Sequence, residues 1–417
     1  MAAKKKTEKK PAPKDDTKAK RAEIARVQRA LEKKFPGIRI GFAGSPAMQK
    51  YIQYSKMESP WPQFNNLSNG GFPVGKPTTI FGPPGAGKTT FVMQQIAHWM
   101  QRNPKGDWIW ADAENSWDED YAAHLGVDPN RIFYIAGNRI MEDVLEIVVQ
   151  QATTGCFVGM VIDSLGGFAA SQQIQKKPAT VGKDGTARTL HDDSVAAVAK
   201  KINQYLAISN MKYAKLEPEQ RFAQFLIGHV YQDINPSGKG SGFVQKGGTG
   251  LQHAAHLRLY IRREYDKENN DTITMPDGRQ KKVQLGYNAI VKIDKTKQSA
   301  TEGHEIAVPF QFGVGFDSDA ATINSAFALG IIHQGGAYYT HETFPLDSKE
   351  KHRIKGKANA MEFFKENPEA LEQVRLEIQQ QTDFAEVSAE EVQEEAGMQG
   401  HMEPVEPNGG TEESTPF

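Results

Sequence analysis

The sequence predicts an α/β protein built on a mixed, largely parallel central sheet, with a helix before the sheet and a small α+β unit after it. Three observations carry this prediction. From about Gly71 to Gly315 short apolar runs alternate with helical segments, the rhythm of strands joined by crossover helices. A glycine-rich octapeptide stands between one of these runs and a helical stretch. An amphipathic segment precedes the alternating region, and the turn and cap signals of a separate unit follow it.

The chain has 417 residues and a formal net charge of -1, enough for one large domain with smaller ones attached. Mean hydropathy is -0.57, and no apolar run approaches the length of a membrane span. No apolar stretch follows the N-terminal lysines, so the expectation is a soluble, cytoplasmic chain and not a secreted one. The one cysteine, Cys156, cannot form an internal disulfide. Beside Phe157, Val158 and Met160 it reads as a buried thiol near a strand. Residues 1–21 carry nine Lys or Arg against three acids, and residues 381–417 carry ten acids and no Lys or Arg. Such blocks read as solvated, disordered tails. The acidic one has a second reading, as a competitor with nucleic acid for a basic surface.

Within Ala22–Phe35, the residues Ile24, Val27, Leu31 and Phe35 share one helical face, and Pro36-Gly37 ends the helix. That stripe must be buried on the chain's own core or on a neighbouring subunit, and periodicity does not choose. The strand-like runs are Pro77–Phe81, Trp108–Ala111, Ile132–Ala136, Phe157–Asp163, Phe225–His229, Leu257–Arg262 and Ala289–Ile293. The later ones are expected to be antiparallel. Gln172–Asp193 and Gln232–Gly250 break the rhythm, and loops that long inside a compact domain are functional or disordered. Further on, Thr322–Leu329 reads as a helix closed by Gly330, and Gly335-Gly336 as a turn before Tyr338-Tyr339. Asn367-Pro368 reads as the cap and first residue of a helix to about Gln380. The expected division is a basic tail at 1–21, a helix and linker at 22–45, a core at 46–316, a small C-terminal domain at 317–380 and an acidic tail at 381–417.

Gly82-Pro83-Pro84-Gly85-Ala86-Gly87-Lys88-Thr89, followed by Thr90, fits G-x-x-x-x-G-K-[ST] in the strand-then-helix context that the motif requires. The glycines let backbone N–H groups curl round an anion, and the helix N-terminus adds its partial positive charge. Lys88 would reach the β- and γ-phosphates and the Thr89 hydroxyl would hold Mg²⁺, so the expected ligands are ATP and Mg²⁺. A second apolar strand, Met160–Asp163, supplies the acid that orders the magnesium. Between the two, Trp108–Ala111 ends in Asp112-Ala113-Glu114. A carboxylate there would take a proton from the water attacking the γ-phosphate; the bland reading of Glu114 is a helix cap or a surface acid.

With those motifs in place, the chain resembles bacterial RecA. The P-loop, the segments Asp112–Asp118 and Tyr121–Asp128, and Val161-Ile162-Asp163-Ser164 stand in that family's order. So do Gly247–Gly250 before a strand ending in Arg262-Arg263, and Gly356–Pro368 near the end. The resemblance runs from about Ala22 to Gln380 and implies a RecA-like P-loop ATPase core. It implies a DNA recombinase that forms ATP-dependent helical filaments of its own copies on single-stranded DNA, pairs homologous duplex DNA and exchanges strands in recombination and repair. Hydrolysis of ATP to ADP and phosphate would depend on DNA, and single-strand-binding and loader proteins are candidate partners. By the same resemblance Glu114 is the water-activating glutamate, and Asp118 and Tyr121 contact adenine. Lys295 and Lys297 reach the γ-phosphate of the neighbouring subunit, a charge supplied in trans. The loops at about 172–193 and 232–250 would bind DNA. There Lys176, Lys177, Lys183, Arg188, Lys239 and Lys246 would neutralise phosphates, and Phe243 would wedge between bases. One position departs from the pattern. His229 stands where bacterial RecA has a glutamine that senses the γ-phosphate, a choice seen in phage-type recombinases, and its charge depends on pH.

Two other readings stay open. A non-catalytic filament partner or mediator would bind ATP and DNA without strand exchange, and the intact set Lys88, Thr89, Glu114, Asp163, Lys295 and Lys297 speaks against it. A RecA-core helicase is opposed by the C-terminal unit and by the lack of an obvious arginine finger. The acidic tail generates its own test. Deleting residues 381–417 should strengthen binding to duplex DNA, most at low salt where electrostatic competition is least screened. Titrations of both forms over a salt series check this, and equal affinity at every salt concentration would reduce the tail to a solubilising appendage.

Overall fold

The structure is a computed structural model that describes residues 17–35, 38–137, 140–169, 194–213, 215–232, 243–245, 248–274 and 279–381. Every strand-like run in the sequence forms a strand. Lys56–Met57 (β1) and Phe72–Pro73 (β2) make a small antiparallel pair. The central sheet is built from Pro77–Gly82 (β3), Asp107–Asp112 (β4), Ile132–Ile135 (β5), Phe157–Asp163 (β6), Ala223–Gln232 (β7), Phe243–Gln245 (β8), Leu257–Thr274 (β9), Gln280–Thr296 (β10), Glu305–Gln311 (β11) and Gly315–Phe316 (β12). In space the order is β12-β11-β10-β9-β3-β7-β6-β4-β5, with β8 paired to β7. From β9 through β5 the neighbours are parallel, and from β9 to β12 they are antiparallel.

The helices are Thr17–Lys34 (α1), Pro46–Ile52 (α2), Pro62–Leu67 (α3), Lys88–Arg102 (α4), Glu119–His124 (α5), Met141–Ala152 (α6), Ser194–Tyr213 (α7), Gly248–Ala254 (α8), Ser318–Ala328 (α9), Lys357–Glu366 (α10) and residues 368–381 (α11). None of them is long and apolar enough to cross a membrane.

The central strands read as unbroken apolar runs because both faces are covered. Trp108, Trp110, Val161, Phe225 and Ile227 point to the face packed by α4 and the 57–74 segment. Their neighbours Ile109, Ala111, Met160, Ile162 and Leu226 point to the face packed by α6 and α7. On the first face the Trp61 and Phe91 rings stack 4.2 Å apart. A separate cluster, including Ile323, Ile332, Phe344, Phe364 and Val374, gathers α9, α10 and α11 around a three-stranded sheet of His333–Gly335 (β13), Tyr338–Thr340 (β14) and Arg353–Lys355 (β15). Gly330 and Gly336 take the left-handed turns read from the sequence, with φ of 72° and 62°.

Three features differ from the sequence expectations. Cys156 is exposed. It lies in the turn after α6, where its N–H meets the Thr154 hydroxyl at 3.2 Å, and the strand starts one residue too late to bury it. The α1 helix begins before Ala22, and among the described residues its stripe does not reach the core. Ile24, Val27 and Leu31 border an apolar cleft of about 320 Å³ with Ile40 and Phe42, and Ile24 stays 48% exposed. The stretch read as one loop from Gln232 includes β8 and the first residues of α8. The loop read at 172–193 lies outside the described residues.

Candidate functional site

The register of the parallel strands brings four functional segments to one edge. Gly82 at the end of β3 is level with His229 on β7, and Asp112 at the end of β4 is level with Asp163 on β6. In open α/β sheets ligands bind outside these carboxyl ends. The phosphate-binding motif spans the end of β3 and the start of α4. Gly85 and Gly87 have φ of 70° and 86°, a left-handed backbone that only glycine adopts cheaply. At Gly82 the demand is closeness instead, since an added Cβ would lie 2.0 Å from the Ile261 carbonyl oxygen on β9.

Lys88 is 5% exposed and its ammonium donates to the carbonyls of Gly82 at 3.1 Å and Pro83 at 3.0 Å. Burial lowers its pKa, against the opposing charges of Asp163 and Glu114. The Thr89 hydroxyl donates to Asp163 Oδ2 at 2.7 Å. Asp163 is buried, and that burial pushes it up to about 7, assisted by the Glu114 and Asp112 charges and opposed by the Thr89 hydrogen bond and Lys88. A hydroxyl and a buried carboxylate oxygen so close are the hard oxygen donors that Mg²⁺ selects.

Glu114 sits beside this pair. Its Oε1 accepts from the Ser164 hydroxyl at 2.5 Å and from His229 Nε2 at 2.8 Å. Burial raises the pKa of this carboxyl, but those two hydrogen bonds, with the charges of His229 and Lys88, outweigh it and hold the group below its usual value. Glu114 therefore stands ready as a proton acceptor. The other ring nitrogen of His229, Nδ1, is buried without a partner among the described residues.

Sequence reasoning left Asp112 without a role. Its Oδ1 accepts from the Glu114 N–H at 2.9 Å, and its Oδ2 from Ser116 N–H, Trp117 N–H and the Tyr134 hydroxyl at 2.8 to 2.9 Å. One buried carboxyl thus ties down the loop that carries Glu114. Ser164 and Tyr134 were likewise passed over. The signal for Asp112 was present, as a second strand ending in an acid, but its partners could not be read before the turn was seen.

Asp118 caps α5, accepting from Tyr121 N–H at 2.9 Å, so it has a structural role in addition to the one expected. The Tyr121 hydroxyl lies 3.3 Å from the Thr90 hydroxyl, beside the motif. Lys295 and Lys297 are elsewhere. Lys295 donates to the carbonyls of Gln252 at 2.7 Å and His253 at 3.4 Å, and Lys297 to that of His253 at 3.3 Å. The backbone N–H of Lys297 bonds the carbonyl of His256, whose own N–H bonds the carbonyl of Pro77, the first residue of β3. Lys297 therefore lies at the edge opposite Gly82, roughly 16 Å away along a six-residue strand, and Lys295, level through Arg258 with Thr79, stands about 10 Å from Gly82 in the strand direction. That edge is rich in cations: burial and then Lys76, Lys297 and Lys295 push His256 down to about 4. Of the expected DNA contacts, Lys176, Lys177, Lys183, Arg188, Lys239 and Lys246 lie outside the described residues. Phe243 opens β8, which pairs with the end of β7 beyond His229.

A family profile described as RecA N-terminal domain matches residues 62–301, more than half of the chain. The chain is 27% identical over 342 residues to a Protein RecA of Campylobacter hominis, covering 79% of this chain and 85% of that protein. It is also 27% identical over 328 residues to a Protein RecA of Thermus aquaticus, covering 78% and 84%.

The Asp112 network yields a test. Asp112→Asn puts an amide donor against N–H groups, so the Glu114 loop loses bonds worth about 1–3 kcal/mol each when buried donors are left unmet. Hydrolysis should fall at least tenfold while nucleotide affinity is largely kept, as separate binding and turnover assays would show. Unchanged turnover would mean that Glu114 is held by Ser164 and His229 alone.

Proposed function

The chain belongs to the RecA family, and from that premise we propose that it is a DNA recombinase whose ATPase site is completed between successive subunits of a filament. The observation that supports this reading is that the P-loop cluster and the lysine pair lie toward opposite edges of one sheet. Lys88, Thr89, Asp163, Glu114 and His229 gather at the carboxyl edge. Lys295 and Lys297 sit together toward the opposite edge, where burial, then Lys297 and Arg258, lower the Lys295 pKa. Lysines so placed cannot serve their own P-loop. They can serve that of another copy stacked edge to edge, and an edge crowded with cations is one that an anionic partner stabilises. The exposed stripe of α1 gives the second contact between copies, an apolar face with no core of its own to cover.

ATP is the substrate that fits. The N–H groups of the Gly82–Thr89 segment would cradle its phosphates, and Lys88 would exchange two backbone carbonyls for phosphate oxygens. Thr89 and Asp163 would hold Mg²⁺, which when bound neutralises phosphate charge. Glu114, kept ionised by its two donors, accepts a proton from the attacking water. Asp118 and Tyr121 serve as adenine contacts by resemblance, Tyr121 with the added support of its bond to Thr90. His229 touches Glu114 and lies on the strand that runs into the second DNA loop, so engagement of single-stranded DNA would be felt at the base. Homologous pairing and strand exchange with duplex DNA are the task proposed for the resulting filament.

Glu114→Gln should still bind ATP and assemble on single-stranded DNA while hydrolysis drops by about two orders of magnitude. Turnover assays and electron micrographs of the same preparations check both halves. Near-wild-type turnover would give the base role to another acid, and rings in place of filaments would favour the helicase reading.

A further inference from the structure

We propose that Arg263 is a positioning residue for the phosphate-binding loop, acting through the carbonyl group of Gly85. The inference rests on the reading of Gly82–Thr89 as a nucleotide site and adds a residue 178 positions away from that loop. Strand β9 runs beside β3, and the Ile261 carbonyl backs Gly82. Two residues further on, the Arg263 guanidinium reaches the loop. Its Nε and Nη2 donate to the Gly85 carbonyl oxygen at 2.9 Å and 2.6 Å. The guanidinium lies over the Tyr287 ring, 4.5 Å from the centroid, and the Tyr287 hydroxyl donates to the same Gly85 oxygen at 3.3 Å.

Three donors on one carbonyl have a consequence for the rest of that peptide. Gly85 sits at φ of 70°, where glycine is comfortable but has soft alternatives, so the Gly85–Ala86 peptide plane needs something to hold it. In a planar trans peptide the C=O and N–H point to opposite sides. Holding the carbonyl of Gly85 toward Arg263 therefore turns the N–H of Ala86 away from it, where it meets the Pro83 carbonyl at 3.3 Å. Were the plane to flip, the Gly85 carbonyl would face the Pro83 carbonyl in place of a donor, and the turn that shapes the loop would lose that bond. The residue types suit this task. A guanidinium supplies two parallel donors and a flat face for stacking, which an ammonium cannot. Glycine at 85 leaves room for it, since a Cβ there would lie 2.9 Å from Arg263 Nη2.

The test uses the full-length protein, with nucleotide binding measured without DNA. Equilibrium binding of ADP and of a slowly hydrolysed ATP analogue is measured for wild type, Arg263→Lys, Arg263→Gln and Tyr287→Phe, with melting temperature and DNA-stimulated turnover alongside. Arg263→Gln should weaken both nucleotides equally, by about tenfold, the scale of losing charge-assisted hydrogen bonds that orient a binding loop. KM for ATP should rise in step, with kcat within about twofold because the reacting groups are untouched. Arg263→Lys should fall between, and Tyr287→Phe should show a small loss of the same kind. A lowered melting temperature with unchanged affinities would assign Arg263 to the packing of β9 and overturn the proposal. A far larger loss for the ATP analogue than for ADP would make it a phosphate ligand and also overturn it. If Arg263→Gln does not fold, the Lys and Phe variants decide by the same criteria. Wild-type protein that binds neither nucleotide would sink the nucleotide-site reading itself, a failure visible before any variant is compared.

Discussion

Strand register is the constraint on which the rest of the site depends. Gly82 is level with His229 and Asp112 with Asp163, the second pair two residues short of the first, so four chain segments far apart in sequence end at one edge. Slipping any of these strands by one residue would send each side chain to the opposite core and move its terminal acid or loop along the edge. The register is fixed by burial on two faces, because Trp108 and Trp110 must meet one core and Ile109 and Ala111 the other. The hydrophobic effect thus places the chemistry, and polar contacts refine it. Thr89 on Asp163, Ser164 and His229 on Glu114, and the backbone of the 113–117 turn on Asp112 are short bonds among groups that packing had already brought together.

The same logic explains what could be read from the sequence and what could not. The strands were legible because parallel strands buried on both faces leave long apolar runs, and the phosphate loop because its glycines and its lysine have fixed spacing. Glu114 and Asp163 were legible as acids at strand ends. Arg263 was not, since nothing in a basic pair at a strand end says that one member reaches back to Gly85. Asp112 was seen only as part of a run of acids, because its four partners come from a turn and from the next strand. Cys156 was misread because apolar neighbours in sequence do not bury a residue that precedes the first strand pairing. The α1 stripe showed a helix without showing its partner, and the structure answers half of that question by leaving Ile24 and its neighbours off the core. The basic residues expected to meet DNA lie outside the described residues, and their assignment rests on the resemblance alone.

Energetically, the arrangement is one of groups held against their solvent preferences. Lys88 and Asp163 are both buried, their pKa values shifted in opposite directions and each partly relieved by the other. Lys295 is depressed by burial and by its neighbour Lys297. A triphosphate with magnesium would supply the missing countercharge at the first edge, and in the proposed filament the phosphates of a nucleotide bound to an adjoining copy would supply it at the second. Under the proposed reading the two edges of one subunit are electrostatically incomplete in complementary ways, which would favour assembly and make hydrolysis await it.

The central claim, that one site is shared by two chains, is tested most directly by mixing two inactive variants on single-stranded DNA. A Glu114→Gln subunit lacks the base but offers both lysines, and a subunit carrying Lys295→Ala and Lys297→Ala keeps the base and offers none. Where the first donates lysines to the second, a complete site forms. The account predicts that DNA-stimulated hydrolysis returns on mixing, to about a quarter of wild type if interfaces assort randomly. No recovery, with co-assembly demonstrated, would mean that the lysines act within their own subunit or not at all.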